Sequence, residues 1–64
     1  MNAKTLARAA AAGAAVAARG DIAARDILVA ELAETPKGKR LTPSGLSVGY
    51  CRAWVAAFNK ALSA

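Results

Sequence analysis

Between Ala3 and Arg19 the chain places ten alanines and one glycine in seventeen positions, with no proline and no acidic residue. Such a stretch has one ready conformation. Alanine gives up no side-chain entropy in an α-helix, and only Thr5 and Val16 are β-branched. A helix is therefore expected over Ala3–Arg19, with Gly20 as its stop. Alanine buries little area, however, so a helix of this composition gains stability only where it lies very close to something larger.

Two more helices follow from the punctuation of the remaining sequence. Asp21 is a good N-cap, and the pattern behind it continues to Glu34. Thr35-Pro36 then ends the helix, because a residue before proline is driven out of the α region. After the connection Pro36–Leu41, Thr42-Pro43 offers a cap with proline at the first helical position. Ser47 offers a second cap, so the third helix starts at Pro43 or after Ser47 and runs to Leu62. No strand-period alternation longer than a few residues is present, and the expected fold is all-α: one domain over residues 1–64 with three helices.

The third helix divides most cleanly. At 100° per residue, Tyr50, Cys51, Trp54, Val55, Phe58 and Leu62 share an apolar side, expected to be core. Arg52, Ala56, Asn59, Lys60 and Ser63 lie opposite with Gly49, and Ala53 is grouped with them as a small residue of the exposed face. Leu6, Ala10, Gly13 and Ala17 mark the expected inner side of the first helix, against a basic stripe of Lys4, Arg8 and Arg19. In the second helix Ile22, Leu28, Val29 and Leu32 form the expected buried arc, with Asp26, Glu31 and Glu34 outside it.

Several function classes fall away on composition. There is no histidine, one cysteine, no glycine-rich phosphate loop and no nucleophile beside a base, so neither catalysis nor a metal or cofactor is expected. The carboxylates Glu31 and Glu34 stand three apart, a spacing routine on solvated helices. Lys4 and Arg8 ahead of Ala9–Ala18 have the outline of an export signal. That stretch holds a single valine and lacks the leucine-type core such a signal needs, so a cytoplasmic protein is expected. No run reaches the roughly 20 apolar residues of a membrane span, and the aromatics an interfacial helix would need are required by the core. With no disulfide or zinc to staple a chain of 64 residues, association into a homodimer is an expectation as well.

What remains is charge. The net charge is +5, and it is segregated. Lys4, Arg8 and Arg19 give the first twenty residues +3. All four acids fall within residues 21–34, where Arg25 reduces the total to −3. Lys37, Lys39, Arg40, Arg52 and Lys60 give the remainder +5. Folding does not require such blocks; they suggest a molecule with a basic and an acidic side. The expected function is nucleic-acid binding of a loose helix-turn-helix kind, although the connection is longer than that motif usually allows. Lys37, Lys39, Arg40 and Lys60 would contact phosphates, and Arg52 and Asn59 could make two-pronged contacts to base edges. The alternative is a small interaction module or inhibitor whose basic face grips an acidic protein partner.

Overall fold

The computed structural model describes residues 2–64 and contains three α-helices: α1 (Ala3–Ala18), α2 (Ile22–Glu34) and α3 (Val48–Leu62). Each begins at a side-chain cap. Asn2 accepts from the Thr5 N–H, Asp21 from Ala24 and Ser47 from Tyr50. Of the two possible starts of α3, Ser47 is therefore the one used. The Thr42 hydroxyl is engaged ahead of the helix, where it accepts from the Leu46 N–H at 3.0 Å. Thr35, before the proline, is extended at ψ 121° as expected.

The core lies between α1 and α3. Ala9, Gly13 and Ala17 are the buried residues of α1, spaced four apart along one line. Gly13 is where the two backbones meet: a Cβ added there would overlap the Trp54 carbonyl, whose carbon would lie only 3.0 Å away. This close approach seats Trp54 and Phe58 against the alanines, and the two rings stack with centroids 5.5 Å apart. Phe58 is completely buried, a contribution of about 1.5–3 kcal/mol from the side chain alone.

α2 is attached differently. It runs antiparallel to α3, because Arg25 near its start reaches Asn59 near the end of α3, whereas Glu31 reaches Ser44, just before α3. None of its residues is buried. Ala24 and Leu28 lean on the core, and Leu32 is half-buried.

Five residues stand on other sides than expected. Ile22 and Val29 are exposed, because α2 meets α3 along the row through Ala24, Leu28 and Leu32, and both residues lie outside that row. Leu6 is exposed because the contact line of α1 runs through Ala9, one position round from Ala10. Leu62, in the last turn of α3, is exposed. Ala53 is half-buried against the core rather than part of the open face. Cys51 is buried, as its position on the apolar side implied.

Candidate nucleic-acid interface

The segment between α2 and α3 is folded rather than loose. The Lys39 N–H closes a turn on the Pro36 carbonyl at 3.1 Å, with Gly38 at φ 88° in the position that demands positive φ. The chain then doubles back. Leu41 and Ser47 form an antiparallel bridge, Thr42 donates its N–H to the Leu46 carbonyl at 2.8 Å, and Gly45 donates to the Thr42 carbonyl at 2.8 Å. Finally Val48 donates to the Arg40 carbonyl at 2.9 Å. That last bond pins Arg40 beside the first turn of α3.

The result is an open hollow of about 560 Å³ lined by Lys39, Arg40, Leu41, Ser47, Val48 and Gly49. It sits at the positive end of α3, whose first turn contains no acidic residue. Arg52 follows one turn beyond Val48 on the outer side of α3. Lys60 lies roughly 18 Å beyond Val48 along the axis, from the rise per residue. Lys37, Lys39, Arg40, Arg52, Asn59 and Lys60 are all exposed. The fold thus brings Lys39 and Arg40 together at one end of α3 and strings Arg52 and Lys60 along it. Lys37 stays in the turn ahead of them.

Asn59 is placed otherwise. Its Oδ1 accepts from Arg25 Nη1 at 2.6 Å, so a two-pronged contact to a base edge would require breaking that bond. Arg25 is the contact residue that sequence reasoning missed. Its Nε donates to Asp26 at 2.8 Å, and its guanidinium lies 5.5 Å over the Phe58 ring. It ties α2 to α3. As the lone cation in an acidic block Arg25 was conspicuous, but a partner 34 residues away leaves no local signal.

Ion pairing decides what the surface can do. Among the described residues the one salt bridge is Arg25–Asp26. The other eight of the nine Lys and Arg residues are without an acidic partner within 4 Å. On the acidic side, Glu31 accepts from the Ser44 hydroxyl at 2.8 Å and from its N–H at 3.3 Å. The hydroxyls of Thr42 and Ser44 hold its carboxyl below the usual range. Burial pushes the Cys51 thiol up, helped by the charge of Glu31 nearby. No group of three His, Cys, Asp or Glu among the described residues is placed to hold a metal. No helix among them is long and apolar enough to cross a membrane. Compared with protein-family models, curated proteins and solved structures, the chain matches none.

Proposed function

We propose that the chain binds nucleic acid through the turn carrying Lys37, Lys39 and Arg40 and the outer side of α3 carrying Arg52 and Lys60. One observation carries this reading: these cations are exposed, none is in an ion pair, and two of them share the hollow at the positive end of α3. Unpaired cations cost a monomer repulsion and contribute nothing to its folding. A polyanion lying across them would release its counterions. Asn59 then acts as a tie to α2, and phosphate contacts dominate over base reading.

Fluorescence anisotropy with a mixed-sequence duplex and a single-stranded RNA tests the reading. Five phosphate contacts predict that affinity for duplex DNA falls by about 10²–10³ between about 50 and 200 mM salt. Replacing Lys37, Lys39 and Arg40 by alanine leaves two contacts and a loss of only about ten-fold over the same range. Absence of binding at the lower salt, or a salt slope unchanged in the triple variant, sinks the proposal.

A second reading has its own support. Leu41, 58% exposed, lines the same hollow, and Leu46, 44% exposed, follows in the turn that leads back to it. Apolar side chains beside a basic hollow suit an acidic protein better than phosphates. On that reading, replacing both leucines by serine removes the interaction. On the nucleic-acid reading it leaves the titration unchanged.

A further inference from the structure

α2 is the one helix without a buried residue, yet its outward side is apolar. Ile27 is 65% exposed, Val29 42% and Ile22 38%, with Asp26 and Glu34 standing among them. Ile22 and Val29 stand at one edge of this side and Ile27 at the other, about 160° round the helix from Val29. Exposed aliphatic side chains are surface that water covers at a cost, and a chain this small has little other apolar area to bury. The charge on this side indicates what covers it. Pairing α2 with α2 would bring Asp26 and Glu34 of two molecules together. A basic surface without acids is needed, and α1 has one.

The outward side of α1 carries Lys4, Arg8 and Arg19, with exposed alanines such as Ala11 and Ala15 between them. Nothing acidic occurs anywhere on the helix. Alanine leaves a shallow surface that the exposed Ala23, Ala30 and Ala33 of α2 could meet, with Ile27 and Val29 at the two edges of the contact. The lengths also agree, at about 24 Å for the sixteen residues of α1 and about 20 Å for the thirteen of α2.

We infer that a second copy of this chain covers the outer side of α2, laying its own α1 along it so that Lys4, Arg8 and Arg19 face Glu34 and Asp26, the latter already bonded to Arg25. The contact joins two different surfaces; repeated head-to-tail, it leaves one free α1 and one free α2 at the ends of each assembly unless the assembly closes into a ring. It uses neither the 37–40 turn nor the outer side of α3, and so it is independent of the nucleic-acid reading.

Sedimentation velocity from micromolar to several hundred micromolar protein, at low and high salt, tests the inference. The wild-type chain forms dimers and longer species at low salt, and salt weakens them. Ile27→Lys and Arg8→Glu each weaken association about ten-fold or more, the effect of losing one apolar or charged anchor. Both positions are exposed, so circular dichroism should show the helices intact. An equimolar mixture of the two variants associates one-to-one, because each supplies the surface that the other lacks. A wild-type chain that stays monomeric at the highest concentration and low salt overturns the inference and leaves α2 to a different protein. Association indifferent to both substitutions, or variants that do not recover on mixing, overturns it equally.

Discussion

In the middle of α1, Gly13 stands where the helix would ordinarily prefer alanine by about 1 kcal/mol. Here the preference reverses, because the added methyl would meet the Trp54 carbonyl, which belongs to the backbone of another helix and cannot turn aside. Gly13→Ala should therefore destabilise the fold by about 1–3 kcal/mol, the usual range for overpacking. Urea unfolding followed by the fluorescence of Trp54 measures this directly. A gain in stability would mean that α1 and α3 do not approach as described. Glu31 provides a test with a pH signature. Its carboxyl is held below its ordinary 4.5 by hydroxyls that exist as partners only in the folded chain. The stability it supplies is then fully present above pH 4.5 and is lost as pH falls through the lower folded value. Glu31→Gln should be less stable than the wild type at pH 7, and the gap should close in acid. A gap that stays constant down to pH 3 would show that the charge of Glu31 is not what matters.

At the scale of the helices, the buried side of α3 was legible in the sequence and that of α2 was not. Apolar and polar residues of α3 fall on opposite sides, so Cys51, Trp54 and Phe58 could be placed inside from periodicity alone. Around α2 the apolar residues are spread almost evenly, and a pattern without direction cannot say which side faces the core. Only the tertiary partner decides, through Leu28 and the Arg25 contacts. The start of α3 had two candidates, and Ser47 prevails because the Thr42 hydroxyl serves the turn before it. The weak attachment of α2 has a measurable result. Cys51 is 1% exposed and lies on the side of α3 that feels Glu31 of α2. A thiol reagent should therefore label it in urea concentrations at which Trp54 still reports an intact α1–α3 pair, because α2 opens first. Labelling that coincides with the loss of the Trp54 signal would make all three helices one cooperative unit.

Across the whole molecule, the fold class, the three helices and the exposure of the cations could be read in advance. Charged residues are almost never buried, and a proline and two clear caps mark the helix ends. The gathering of Lys39 and Arg40 at the end of α3 could not be read, because it depends on the bond from Val48 to Arg40 and on the doubling back of residues 40–48. Nor could the engagement of Asn59, whose partner lies in another helix. The segregation of charge keeps its order in space: α2 carries the acids, while α1 and α3 with its preceding turn carry the cations that no acid meets. Two faces of opposite sign on different helices can be altered one at a time, so variants of the 37–40 turn and variants of α2 report on separate properties.

The close approach at Gly13 also governs something that no other residue of α1 can. Ten of the sixteen residues of α1 are alanine, and one alanine is as good as the next against the face of α3. Such a helix could slide by a turn, or roll by one residue, and bury nearly the same atoms. What distinguishes one alignment from its neighbours is a missing methyl group. The gap in the row Ala9, Gly13, Ala17 admits the backbone at Trp54 in a single alignment, so the register of the helix pair is written by an absence.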